Sequence, residues 1–414
     1  MTNRPGKTAL AGGAIDGPVV HIAPTPFFSN RGCHIRILNE YEALRQAGQR
    51  VIICAYGLGS EVAGVEVRRI GKIPGYTKTS AGFSPFKPFA DVLLFFLVLK
   101  VVFQERAAII HGHLHEGGLI GWWVKLVLFW RRISLVMDVQ GSLSGELKAY
   151  GTFRRVPWVL PLFYALERLV LWLPDLIVCS SHASLDFLTR QCRISRKKLE
   201  VVGDVVPSSF FEQRDRLEQR RRLGVPSEGM VVLYSGSLLP GKGVDLLLAA
   251  VDLLLQRRQD VTVVLVGYPK QWIEKQTVQW PAYRSRLLLP GEVAYGELAG
   301  WLATADLAVD PKRGASGEAS GKILHYMASG LPVVCFASEN NRLFLGSEAF
   351  FVDHETAESL AAALDLALTD IQTRNKYGAS GRDRAAASFT LAARGRQLAD
   401  IYQRIQRVTK TIRT

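Results

Sequence analysis

Short, wholly apolar runs alternate along this chain with longer stretches in which apolar residues recur every three or four positions. The first run, VVHIA between Pro18 and Pro24, is bounded by prolines and predicts a strand. A loop, PTPFFSNRG, leads into an amphipathic helix from about Cys33 to Ala47, which Gly48 closes. Val51 to Ala55 (VIICA) predicts the next strand. An irregular region carrying Gly71, Pro74, Gly75, Gly82, Pro85 and Pro88 precedes an apolar helix. Ala108 to His111, Ser134 to Asp138 and Asp175 to Cys179 predict three further strands. Each is short, apolar and followed by a polar turn, the pattern of strands covered on both faces of a parallel sheet.

Near Gly203 to Pro226 the pattern breaks, with Pro207, the charge run RDRLEQRRR and a second proline in LGVPSEG. This reads as a connection with a short solvated helix. The pattern then restarts: strand 231–235 (VVLYS), a Gly-rich loop, helix VDLLLAAVDLLLQRR and strand 261–267 (VTVVLVG). Strand 306–311, helix KILHYMAS, strand 332–336 and terminal helices from Ala357 to about Val408 complete it. The expected class is α/β, with two Rossmann-like domains, 19–206 and 227–394, joined by a linker at 207–226 and preceded by a flexible leader, 1–18. In such sheets ligands bind beyond the carboxyl ends of the strands, so function is sought in those loops, facing a central cleft.

The length of 414 residues suits two domains, and 48% hydrophobic with 21% charged residues is a globular composition. Five scattered cysteines without a CxxC argue against a disulfide framework and a zinc site, and fit a reducing cytosol. The net charge of +14 calls for a partner, but no nucleic-acid motif accompanies it. Basic residues lie instead beside apolar stretches: Asp91 to Phe103, Gly121 to Arg132 and Arg154 to Leu173. Lys100, Lys125 and Glu167–Arg168 interrupt them before the ~20 apolar residues of a membrane span accumulate. Aromatic residues beside Lys and Arg suit an interfacial helix, so peripheral contact with an anionic membrane surface, at the inner face of the cell membrane, is expected.

Two loops are candidates for holding a phosphate. Gly236-Ser237-Leu-Leu-Pro-Gly-Lys242-Gly243 follows an apolar strand and opens a helix, where free backbone N–H groups and the helix dipole favour an anion. It is one residue from a P-loop, but Gly243 stands where a Ser or Thr hydroxyl would reach magnesium, which argues against an ATPase or kinase. The second is Ser320-Gly321-Lys322, where Ser320 is placed to cap the helix and Lys322, His325 and Tyr326 share a face. A third glycine loop, around Arg31-Gly32, opens the first helix.

Taken in order, these segments resemble glycosyltransferase family 4, which has the GT-B architecture. YSGSLLPGKGVDLLLAAV is similar to that family's G-x-L-x-x-x-KG segment, and SGKILHYMASGLPVV to its P-x-K-x-x-E-Y-M-A-x-G-x-P-V-V signature. LLLPGEVAYGELAGWLATADLAVDP, RGCHIRILNEYEALRQAGQRV and IIHGHLHEGG resemble three further family segments. The resemblance implies a retaining, metal-independent transfer from a UDP- or GDP-sugar, with no cofactor, and a C-terminal helix (about 395–414) packing back on the first domain. It implies that Lys242, Gly236, Ser237, Ser320, Gly321 and Lys322 contact the donor diphosphate, that Gly291 and Val293 border the base, and that Gly32 admits donor or acceptor. His113 matches the histidine near the transferred sugar, with His115 and Glu116 as rivals because HGHLHEGG offers a shifted match.

Two departures stand out. Ser237 replaces a frequent Arg, and His325 replaces the helix glutamate that holds the donor ribose, leaving Glu318 as a substitute contact. Imidazole does not reproduce carboxylate chemistry. Arg31, Asp138, Gln140 and Ser142 are the expected acceptor contacts, for a lipid-linked or membrane-proximal glycan. Two alternatives stay open: a sugar-nucleotide epimerase or hydrolase on the same architecture, and a degenerate, non-catalytic transferase serving as a binding subunit.

Overall fold

The computed structural model describes residues 15, 17–29, 31–79, 84–144, 157–313 and 320–411. Contacts divide the chain into two units, Met1–Gly203 with Leu391–Thr414, and Asp204–Thr390. Each is built around one parallel sheet.

In the N-terminal unit the strands are β1 (Val19–Ala23), β2 (Val51–Ala55), β3 (Val67–Arg69), β4 (Ile109–His113), β5 (Ser134–Val139), β6 (Leu176–Cys179) and β7 (Leu199–Val201), ordered β3-β2-β1-β4-β5-β6-β7. Every pairing is parallel. β1, β2, β4 and β5 are buried along their whole length, with the polar His21, His111, His113, Ser134 and Asp138 among their mostly apolar residues. Strand β4 runs two residues beyond its expected end, so His113 and Asp138 pair as register partners. Helix α1 (Gly32–Gln46) and the C-terminal helix Leu391–Thr411 pack together. Their Ile37, Leu44, Leu398 and Tyr402 share a core with Val19, Ile53 and Ile109. Residues of the opposite parity, Val20, Ile52 and Ile110, pack instead with α2 (Lys87–Gln104) and α3 (Leu114–Val127).

The Asp204–Thr390 unit contains β8 (Met230–Ser235), β9 (Val261–Val266), β10 (Leu287–Gly291), β11 (Leu307–Asp310), β12 (Val333–Phe336) and β13 (Phe350–Val352), ordered β10-β9-β8-β11-β12-β13, again all parallel. Residues 207–226, expected as a linker, belong to this unit. The helix Arg216–Leu223 is anchored through buried Arg220, whose Nη2 lies 2.7 Å from Asp306 Oδ2 and whose Nε donates to Thr304 O. An ion pair joining a charge run to a strand start 86 positions away has no local signal in the sequence.

Candidate functional site

The loop after β8 is shaped by two glycines. Gly236 has φ 137° and Gly243 φ 82°, conformations that side chains with a Cβ rarely adopt. A Cβ on Gly243 would stand 1.9 Å from Pro311 O, and one on Gly236 would stand 3.1 Å from Lys322 Cε. The loop therefore lies against both the end of β11 and the helix Lys322–Ala328. The Tyr234 hydroxyl donates to Ser237 O at 2.9 Å, and the Ser235 amide donates to the Tyr326 hydroxyl at 2.8 Å. The two expected phosphate loops thus meet in space.

At their junction Lys322 Nζ lies 3.1 Å from Oδ1 of buried Asp310 and 4.7 Å from the centre of the Tyr234 ring, a residue 88 positions away. Burial works against the ammonium, but Asp310 and the nearby tyrosines outweigh it and raise the Lys322 pKa, so the side chain is a fixed cation. Asp310 Oδ2 has no hydrogen-bond partner. Lys242 closes the short turn Pro240–Lys242 and is partly exposed. Ser320 does not cap: its hydroxyl is buried without a partner, and the Ile323 amide bonds to the Ser320 carbonyl instead.

Midway along the same helix His325 meets two aromatic rings. His325 is buried, its Nε2 is 2.8 Å from the Tyr295 hydroxyl, and its ring centre is 4.4 Å from that of Phe210. Burial lowers its pKa to about 4, so it is a neutral hydrogen-bonding group near neutral pH. Gly291 ends β10 with φ 87° and accepts from the Gly267 amide, and Val293 is half-buried against the core. Glu318 lies outside the described residues. Tyr234, Tyr295, Phe210 and the role of Asp310 were not expected from sequence; nothing in the spacing of these residues announces that they converge.

In the N-terminal unit Gly32 is exposed at the start of α1, and Arg31 beside it donates to Thr79 O. Of the expected catalytic and acceptor residues, His113 and Asp138 belong to a buried network on one face of the sheet. Asp138 receives Arg36 through Nη2 at 2.7 Å and Nε at 3.0 Å, and also contacts His113 Nδ1 at 3.1 Å and Gln140 Nε2 at 2.7 Å. His113 Nε2 lies 2.9 Å from His21 Nδ1, so both ring nitrogens are engaged and the ring is buried. His111 Nδ1 faces the Tyr402 hydroxyl. Asp138 is therefore the counter-ion of Arg36 and not a solvent-facing acceptor contact. Burial opposes its charge, but Arg36 and His113 hold its carboxyl well below the usual carboxylate range. Gln140 and Ser142, further along the loop, are partly exposed. His115 is buried too, 3.4 Å from Glu167, and Glu116 pairs with Lys87. Despite burial, His115 and the Ser144 amide and hydroxyl bring the Glu167 pKa down to about 2.

Ligand atoms of Glu40, His111, His113 and Asp138 lie within 4.8 Å of one another, close enough for a divalent ion to bridge. The oxygens of Asp138 are nevertheless already taken by Arg36, His113 and Gln140, and Arg36 also lies 3.2 Å from Glu40. A guanidinium supplies the positive charge that a metal would bring. Burial, followed by the Asp138 charge, raises the Glu40 pKa to about 7.

These shifts set a pH dependence. His21, His34, His111 and His325 all have pKa values lowered chiefly by burial, to about 3 for His34 and about 4 for His325. Below the ordinary histidine value of 6.5 the unfolded chain binds these protons and the native state does not, so stability falls as pH falls. Glu40 acts in the opposite sense between 4.5 and about 7, and Asp91, raised chiefly by burial, does so between 3.8 and about 6, so together they cancel two of the four. The remaining two protons correspond to a slope on the order of 3 kcal/mol per pH unit once fully developed. Urea midpoints measured from pH 7 to pH 5 are expected to drop steeply; a flat profile would contradict the buried neutral histidines.

Two family models match the chain. Residues 31–204 match the family described as "Glycosyl transferase 4-like domain", and residues 229–370 match "Glycosyl transferases group 1". A D-inositol 3-phosphate glycosyltransferase of Nocardioides sp. is 27% identical over 257 residues, which cover 58% of this chain and about half (55%) of that relative. The enzyme of the same name from Thermobispora bispora is 26% identical over 74% of this chain and 73% of its own length. Among solved structures, Anabaena HepE in complex with UDP and glucose superimposes with a TM-score of 0.73 at 17% identity, covering 94% of this chain and 99% of that one.

Proposed function

Because the chain belongs to the family-4 type of GT-B glycosyltransferases, we propose that it moves a sugar, with retained anomeric configuration, from a UDP- or GDP-sugar to a lipid-linked or membrane-proximal acceptor of glycolipid or polysaccharide assembly. The observation carrying this reading is the convergence of Gly236, Tyr234, Asp310 and Lys322 at one corner of the Asp204–Thr390 unit. Breaking the sugar–phosphate bond builds positive charge at the anomeric carbon and negative charge on the departing diphosphate. Lys242, the Lys322 ammonium and the loop amides of Gly236, Ser237 and Gly321 would stabilise that leaving group without a metal ion. Asp310 keeps Lys322 charged and fixed, so little reorganisation is needed as the diphosphate charge develops.

Gly291 and Val293 would border the base. With His325 neutral and bonded to Tyr295, the ribose contact becomes a neutral hydrogen bond in place of the family's carboxylate. Gly32, Arg31, Gln140 and Ser142 are the proposed acceptor contacts. His113 and His115, both buried, would act on the acceptor side only after their shells rearrange. UDP is the favoured nucleotide, since HepE holds it in a complex of the same fold. A sugar-phosphate acceptor is the second reading, supported by the relatives named for inositol 3-phosphate.

The test incubates the protein with UDP- and GDP-sugars and reads nucleoside diphosphate release with a bacterial lipid extract, with inositol phosphate, or with neither. Release dependent on the lipid extract supports the first reading. Dependence on inositol phosphate selects the second. Equal release without acceptor would overturn both in favour of hydrolysis.

A further inference from the structure

One face of the N-terminal sheet is covered by α2, α3 and the helix Leu160–Trp172, with α3 packed against both others. Inward, α2 buries Ala90, Leu94, Val98, Val101 and Val102. Outward, where a surface helix carries polar residues, it shows Phe96 (59% exposed) and Phe103. A helix apolar on all sides is ordinarily enclosed by protein or by lipid. The exposed apolar surface continues through Phe129 (65%) and Trp130 (60%) after α3, and through Trp158 and Trp172 around the third helix. No helix among the described residues is long and apolar enough to cross a membrane.

The charges around this face are sorted. Its acidic residues are all paired: Asp91 accepts from Tyr56, Glu105 pairs with Arg50 and Arg68, and Glu116 pairs with Lys87. Lys125 likewise pairs with Asp175, and the basic residues that remain lie toward the outside. Lys100 and Arg132 are exposed, Arg131 sits 5.2 Å over the Phe103 ring, and Arg168 sits 5.4 Å over the Trp172 ring. Rings that enter the acyl boundary beside cations that meet phosphate are the two requirements for binding in the plane of a bilayer. A protein partner of ordinary surface would need neither the one-sided charge nor this density of tryptophan.

We infer that the face formed by α2, α3 and Leu160–Trp172 docks on an anionic phospholipid surface, holding the N-terminal unit at the membrane. This rests on the proposed membrane-proximal acceptor and specifies the partner and the residues that meet it. Full-length protein is tested by co-sedimentation with phosphatidylcholine vesicles and with vesicles containing phosphatidylglycerol. Binding is expected only to the anionic vesicles, weakened by salt, and reduced about tenfold or more by Phe96→Ser with Trp130→Ser. Leu366→Ser removes an equally exposed apolar residue from the other unit and is expected to bind like the parent. Absence of anionic-vesicle binding, or binding unaffected by the double substitution, would overturn the inference. So would a concentration-dependent dimer that the same substitutions abolish, because a second copy would then cover the face. Nucleoside diphosphate release is read on separate samples, without vesicles, using the bacterial lipid extract dispersed in detergent as acceptor. Turnover without vesicle binding sinks the docking surface and leaves the proposed function standing; vesicle binding without turnover does the reverse.

Discussion

Asp138→Ala is expected to destabilise the N-terminal unit by about 3–5 kcal/mol, the cost of leaving a buried charge without its partner. Arg36 is buried and places Nε and Nη2 on this one carboxylate. Without it the guanidinium keeps Glu40 at 3.2 Å and the Val202 carbonyl at 2.9 Å. Loss of the Asp138 charge also removes one of the forces that hold the Glu40 pKa near 7, so Glu40 ionises more readily and recovers part of the loss. Arg36→Met with Asp138→Leu, which deletes the pair together, should therefore be milder than Asp138→Ala. Urea unfolding of the three proteins at pH 7 checks this. An Asp138→Ala cost below about 1 kcal/mol, the worth of an exposed pair, would show that the network is solvated.

Lys242→Ala is expected to lower kcat/KM for the nucleotide-sugar donor by a factor on the order of 10²–10³, the usual effect of removing one preorganised partner of a developing anion. Lys242 sits on a partly exposed turn, so the melting temperature should not change. Lys322→Ala is expected to lower activity by a similar factor and to lose stability as well, because it leaves the buried Asp310 carboxylate without its cation. This difference separates a group that acts on the leaving diphosphate from one that does so while also neutralising the core. If Lys242→Ala retained full kcat/KM, the loop after β8 would not carry the phosphate.

Much of the fold was legible because parallel strands covered on both faces spell themselves out. β1 and β2 fall where the apolar runs VVHIA and VIICA place them. The strands the sequence did not announce, β3, β7, β10 and β13, are the four sheet edges. Edge strands are half covered and short, so VRR and LEV carry charge and lose the apolar signature. The phosphate loops were legible for a different reason: glycines beside a lysine between strand and helix serve a local geometry. What stayed hidden is long-range. Arg36 meets Asp138 across 102 positions, His111 meets Tyr402 across 291, and Tyr295 meets His325 across 30. A histidine or aspartate at a strand end looks the same in sequence whether it faces a ligand or a buried partner. Asp138 and His113 were read as the first and are placed as the second.

Amide hydrogen exchange of the full chain with and without UDP tests the placement of the donor site most directly. Slowed exchange is expected in three segments alone: 234–243 after β8, 291–295 after β10 and 320–326 at the helix bearing Lys322. Protection elsewhere with these segments unchanged, or no protection by either UDP or GDP, would contradict it.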